Sequence, residues 1–283
     1  MPRRTFLNHI LQLDPERDHQ EITYIDAFYE FPFDTTRSLE FALFRAFAVP
    51  SIGGLLDRTG EFAQRAQKRY DDTDLILSEI MEHGYDSERG RAALRRMNRL
   101  HGRFAISNDD YLYVLSTFVF EPIRWNARFG WRTLVEQEKR AAFYYMREIG
   151  RRMNIQSIPF DFDEFERYNV EYERRHFRYS DANRRVAAAV RDMFLGWFLP
   201  KPLRRIGEPA IYAMLDEPLL EAFGFPKPSP GMRRFVEGAL KTRGRIVSLL
   251  PERRKPFLRT GPRRPTYPKG YRIEELGPSI GSE

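Results

Sequence analysis

From Thr36 to Leu199 apolar side chains recur three and four residues apart with charged ones between them, and the sustained alternation that a half-buried strand needs is missing. That periodicity predicts helices over 36–48, 51–69, 72–83, 88–105, 108–129, 133–153, 161–178 and 181–199, with a last one over 230–249. Capping residues agree with it. Ser107 stands three residues before Asp110, and Thr133 three before Glu136, each pair able to satisfy amides that a helix start leaves open. Gly84 and Gly130 stand where helices should close. The fold class is therefore all-α. After Leu199 the prolines at 200, 202, 209, 218 and 226 reduce the pattern to brief helical turns. The chain divides into an N-terminal segment (1–35), a single helical domain (36–250) and a Pro- and Arg-rich basic C-terminal arm (251–283), expected to be extended or disordered.

The helix over 88–105 has one face that can carry chemistry. Leu94, Met97, His101 and Phe104 follow the spacing of a single apolar stripe, while Arg95, Arg99 and Arg103 point elsewhere. His101 is thus predicted to face inward, as either a core residue held by a hydrogen bond or a metal ligand. The histidines stand at 9, 19, 83, 101 and 176, and none forms the i, i+4 pair that zinc sites on helices use. One imidazole can still ligate a metal whose other ligands come from a macrocycle. No nucleophile elbow, phosphate loop or dinucleotide glycine fingerprint is present, and Gly53-Gly54 is too bare to stand for one. Asp71, Asp72 and Asp74 are read as caps at the start of the helix over 72–83.

Composition and charge narrow the partners. The chain has 283 residues, 42% of them apolar, with 23 Phe and 14 Tyr, enough for a sizeable core and for lining wide spaces between helices. The net charge of +7 resides in residues 251–272, where eight basic side chains stand against Glu252 alone, so the rest of the chain is balanced. A basic excess confined to a Pro-rich tail argues against a folded nucleic-acid surface. The absence of cysteine excludes disulfides, a thiolate nucleophile and iron–sulfur ligation. The start, MPRRTFLNHILQLDPERD, lacks the unbroken apolar core of a signal peptide. The uncharged run Tyr111–Phe120 falls short of the roughly 20 residues of a spanning helix. These features lead us to expect a soluble, cytoplasmic protein.

The stretch FALFRAFAVPSIGGLLDRTGEFAQRAQKRYDDTDLILSEIM (Phe41–Met81), followed by RMNRLHGRFAISNDDYLYVLSTFVFEPIRWNARFGWR (Arg96–Arg132) and later by WFLPKPLRRIGEPAIYAML, resembles the MpaB family of oxygenases. That family is similar, more distantly, to the latex clearing protein, a haem b rubber oxygenase. The resemblance implies a globin-reminiscent bundle around a single haem pocket, holding haem b and cleaving carbon–carbon double bonds of isoprenoid or other apolar unsaturated substrates with dioxygen. It implies that His101 is the axial ligand of the iron, that Thr59 is the distal threonine, and that Arg58 is the basic residue directly before it. The latex clearing protein has a further arginine one turn before its threonine, where this chain has Leu55.

Physical roles follow for those positions. The ring nitrogen of His101 that does not bind iron should donate to a carbonyl or carboxylate, with Met97 and Phe104 forming an apolar wall. Arg58 can offset negative charge developing on dioxygen, and the Thr59 hydroxyl can donate a hydrogen bond to it. Arg69 and Arg99 are candidates to pair with the haem propionates. Trp125, Trp131 and Phe118 read either as core or as the lining of a substrate channel. The cluster from Met193 to Arg205, apolar and then basic, offers a peripheral contact with a membrane surface. A haem-free binding protein for a prenyl or lipid ligand is the alternative to the oxygenase reading.

Overall fold

The computed structural model describes residues 4–278, and among them are thirteen α-helices and no strand. What was expected of residues 1–3 and 279–283 lies outside the described residues. Two short helices, α1 (Thr5–Ile10) and α2 (His19–Ile25), and a π-helical turn at Asp26–Glu30 occupy the segment left unassigned before Thr36. They lead into α3 (Pro32–Phe47), α4 (Pro50–Thr59), α5 (Glu61–His83), α6 (Glu88–His101), α7 (Asn108–Phe129), α8 (Glu136–Arg152) and α9 (Phe162–His176). The series ends with α10 (Asp181–Gly196), α11 (Arg204–Met214), α12 (Glu217–Phe223) and α13 (Pro230–Leu249). Starts are set chemically. Pro32 and Pro50 occupy the first turns of α3 and α4, where a missing N–H costs nothing. Ser87, Ser107, Asp161, Ser180, Asp216 and Ser229 each accept the backbone N–H three residues on.

Four boundaries differ from the periodicity, each for a local reason. The helix expected over 51–69 is broken at Gly60, whose φ of +68° is the left-handed conformation that closes α4. The next helix then runs without a boundary through residues 69–72, so Asp71 and Asp72 lie in mid-helix, 1% and 3% exposed, and are not caps. The helix expected over 88–105 stops at His101: Gly102 still makes the helical bond to the Asn98 carbonyl, but the Arg103 and Phe104 amides reach back only three residues, to Leu100 and His101. The helix expected from Thr133 starts at Glu136, and the Glu138 carboxylate accepts the Val135 N–H at 2.7 Å.

Helix α7 is the central element, packed by α3, α8, α9 and α13. Its Tyr113 enters one apolar cluster with Phe44, Phe47, Phe62, Phe194 and Phe223, and its Leu115, Val119 and Phe120 enter a second with Leu75, Leu94, Phe143 and Phe165. Burying a cation is costly unless it is paired, and Arg45 is paired with Glu173 and, at 2.6 Å, with Asp216, tying α3 to α9 and to the start of α12.

Residues 251–278 hold no helix beyond the single turn Ile273–Glu275. They are held against α5. The Arg259 side chain donates to Asp74 at 2.8 Å, the Thr260 amide to Glu82 at 3.0 Å and the Tyr271 hydroxyl to Glu79 at 2.5 Å. Arg264 also reaches Asp74, Tyr267 donates to Asp72, and Leu276 is fully buried in the second cluster. Asp72 and Asp74, two of the aspartates read as caps, thus receive phenolic and basic side chains of the tail. Among the described residues no single helix is long and apolar enough to cross a membrane; α3 and α4 pass together by length and composition but are bent by 98°.

Candidate functional site

Helix α6 turns Leu94 and Met97 into the core, 4% and 8% exposed, and leaves Arg95 and Arg99 in solvent. His101 is its last residue, half-buried against the edge of the Tyr111 ring at a centroid distance of 5.7 Å. A helix C-terminus ordinarily favours a protonated histidine, by about 0.3–1 kcal/mol. Burial opposes that and wins: desolvation, reinforced by the positive charge of Arg69, holds the imidazole down at about 4. The ring is neutral at physiological pH. Its Nδ1 is buried with no hydrogen-bond partner, so the carbonyl or carboxylate expected there is not present.

The other histidines are accounted for. His9 meets Glu21 at 2.7 Å, and His19 is held between the Glu16 carbonyl and the Tyr85 hydroxyl, 2.6 Å from each. His83 lies 3.5 Å from Glu79, and His176 stacks on Tyr172. Among the described residues no group of three or more His, Cys, Asp or Glu could hold a metal ion. An unsatisfied buried polar atom costs about 1–3 kcal/mol, which proteins avoid unless the atom has a use.

The cation acting on His101 belongs to α5, which packs along α6. Arg69 lies over the Phe62 ring at 5.5 Å and donates to the Thr73 hydroxyl one turn further on. It forms no ion pair among the described residues, and desolvation pulls its guanidinium down from the usual arginine range. A desolvated, unpaired cation is poised for an anion. Thr73 in turn lines a small cleft of about 40 Å³ between α3 and α5, with Leu39, Leu43, Leu77 and Met81 as its apolar wall. Polar groups gather at one side of that cleft, where Tyr70 donates to Glu40 at 2.6 Å. Burial pushes the Glu40 carboxyl up to about 7 against the pull of Arg37 at 2.6 Å. His101 is not part of the cleft wall; Thr73 and Arg69 are the link between them.

Residues 41–245 match the family described as "ER-bound oxygenase mpaB/B'/Rubber oxygenase, catalytic domain". The chain belongs to this family. It is 30% identical over 239 residues to the ER-bound oxygenase mpaB' of Penicillium brevicompactum, a match covering 78% of this chain and 56% of that one. It is also 30% identical over 211 residues to the ER-bound oxygenase mpaB of Penicillium roqueforti (strain FM164), covering 68% of this chain and 70% of that one. The chain therefore spans little more than half the length of the first of these relatives.

The contacts of Arg58 and Thr59 do not join them to His101. Arg58 is exposed, and the Thr59 hydroxyl donates to the Leu56 carbonyl at 2.6 Å, so neither is turned toward His101 by any contact. An arginine one turn before a threonine, lacking at Leu55 and Thr59, occurs at Arg69 and Thr73, where the two side chains meet. The residue directly before Thr73 is Asp72, engaged by Lys68 at 2.8 Å, and not a basic one. Reading the motif KRYDDT for arginine–threonine spacing would have found this pair in the sequence. Of the other expected residues, Phe104 lies beyond the helix end and is 38% exposed, so it forms no wall, and Arg99 is exposed. Trp125 is buried with its indole N–H on Asp34 of α3 at 3.0 Å, and Trp131 donates to the Glu30 carbonyl, at the end of the π-helical turn, at 3.0 Å.

Proposed function

We propose that this chain is a haem b-dependent oxygenase that cleaves a carbon–carbon double bond of an isoprenoid or other apolar unsaturated substrate with dioxygen, leaving carbonyl products. The observation that carries this function is the half-buried, neutral imidazole of His101, whose buried Nδ1 has no hydrogen-bond partner, beside the unpaired cation of Arg69. Those residues fit a macrocycle that needs one axial side chain. His101 would hold the iron and Met97 would lie beside the macrocycle, while Arg99, nearer solvent, would meet the propionates. Haem, when bound, supplies the redox chemistry with dioxygen that no side chain provides.

The chain's own part is positioning and electrostatics. Desolvation keeps the His101 lone pair free of a proton, so ligation does not compete with protonation near neutral pH. Arg69 can offset negative charge that develops near it, and the Thr73 hydroxyl, which accepts from the Arg69 guanidinium and donates to the Arg69 carbonyl at 3.1 Å, holds that side chain in place. Leu39, Leu43, Leu77 and Met81 make that cleft apolar, and a substrate chain would have to widen it to enter. Both relatives carry "ER-bound" in their names. A peripheral membrane contact through Met193–Arg205 is supported by Phe198, 76% exposed, although Phe194 and Leu195 of that cluster are buried.

Optical absorption tests the assignment. Protein purified with haem supplied should show a Soret band, and His101→Ala should lose or shift it. A colourless wild-type protein that does not take up haem would overturn the proposal.

A further inference from the structure

Helix α13 is held to the body by one face only. Val236 is buried there, Gly244 lies so close to the Phe129 and Gly130 carbonyls that a Cβ would stand 3.1 Å from each, and Arg243 pairs with Asp34 at 2.7 Å. Glu237, the one acid of the helix, is turned toward Arg128. At 100° per residue the outward face carries Phe235, Ala239, Thr242, Ile246 and Leu249 in one line. Phe235 is 71% exposed, Ile246 55% and Leu249 86%. Beside this line runs a row of exposed cations, Arg234, Lys241 and Arg245, and just past the helix stand exposed Arg253, Arg254 and Lys255. The neighbouring α11 adds Ile206, 73% exposed, and exposed Arg205.

A helix facing water on one side ordinarily shows polar residues there. We infer that the outer face of α13 is a docking surface for a bilayer containing anionic lipid, with Phe235, Ile246 and Leu249 entering the acyl boundary and the basic row meeting the headgroups. Charge selects this occupant. A second copy docked through the same face would set Arg234, Lys241 and Arg245 against their own counterparts with no exposed acid on the helix to offset them. An apolar line with cations along one edge is instead the layout of a helix lying in the membrane interface. This surface is separate from the haem proposal and stands or falls without it.

Vesicle co-sedimentation of the full chain tests it, with phosphatidylcholine alone and with phosphatidylcholine plus phosphatidylserine, at low and high salt. The expected result is binding to the anionic vesicles that salt weakens. Replacing Arg234, Lys241 and Arg245 by Gln should reduce that binding roughly fivefold per cation removed. The triple change Phe235→Ala, Ile246→Ala, Leu249→Ala should abolish it while the melting temperature is kept, since these side chains are exposed. Phe235→Trp should give emission that shifts to the blue when anionic vesicles are added. A chain that stays in the supernatant, or binding indifferent to both sets of changes, overturns the inference. So does a chain that self-associates through Phe235, Ile246 and Leu249 without binding vesicles.

Discussion

The Arg69 guanidinium donates to the Thr73 hydroxyl one turn along α5, and its charge is felt by the imidazole of His101 on α6. On the proposed function, this pair would act with a ligand held by His101. Cyanide bound to the ferric, haem-loaded protein is an anion that Arg69 would stabilise. Arg69→Leu should weaken cyanide affinity about 10–100-fold while keeping the Soret band, as expected for a lost charge-assisted hydrogen bond. Arg58→Ala should leave the affinity within about twofold. Equal effects from the two substitutions would show that Arg69 has no special place beside the iron.

Glu40 gives the fold a pH dependence of its own. Its folded carboxyl is raised from 4.5 to about 7, chiefly by burial, with Arg37, Tyr70 and Arg259 pulling it down and Asp74 pushing it up. The folded state then holds a proton that the unfolded chain releases between those values. Its contribution is complete below 4.5 and is lost as pH rises through 7, a decline of about 3 kcal/mol. Glu40→Gln carries no such proton, so its stability relative to wild type should climb by about that amount between acid and mildly alkaline pH. Urea unfolding at several pH values measures the difference, and one that stays constant with pH would exclude Glu40 as the source.

Two adjacent glycines should respond differently to the same change. A Cβ on Gly53 would stand 2.1 Å from the buried Asn183 amide oxygen and 2.8 Å from the Phe47 carbonyl, so α4 could not keep its close approach to α10. Gly53→Ala should cost about 1–3 kcal/mol by overpacking. At Gly54 the nearest neighbour is the tip of Arg58 at 3.5 Å, so Gly54→Ala should be neutral or slightly stabilising. Denaturation midpoints of the two variants decide, and equal midpoints would refute the packing role of Gly53.

Legibility in the sequence followed the range of the interaction. The inward turn of Leu94, Met97 and His101 is a matter of helical period and could be read directly, as could the Ser107 cap of α7. Phe104 continued the same spacing, yet the backbone tightens after His101 into bonds that reach back three residues, and the helix ends before it. The break at Gly60 was hidden because one glycine inside a helical pattern costs only about 1 kcal/mol and leaves the spacing on either side intact. Asp72 was misread for a different reason: its partner Tyr267 lies 195 residues away, and nothing in the local pattern joins them. The same distance concealed that the basic tail has acidic partners on α5.

That tail should therefore carry stability, and Leu276 is where to measure it. Its side chain is fully buried in the second apolar cluster, and its carbonyl accepts the Arg96 guanidinium at 2.7 Å, so the far end of the chain is fastened to α6. The next residue, Gly277, has a φ of +92° and lies against Leu100, directly before His101, while its carbonyl accepts from Lys68 at 2.9 Å. Leu276→Ala should cost about 2–4 kcal/mol, the usual range for emptying a core leucine site. Leu258→Ala, at a position 37% exposed in the same segment, should cost well under half as much. Because the contact runs through Leu100, hydrogen exchange at the C-terminal turn of α6 should quicken in the first variant and not in the second. Two variants with the same unfolding midpoint and the same exchange at Leu100 would mean that the segment rests on the body without supporting it.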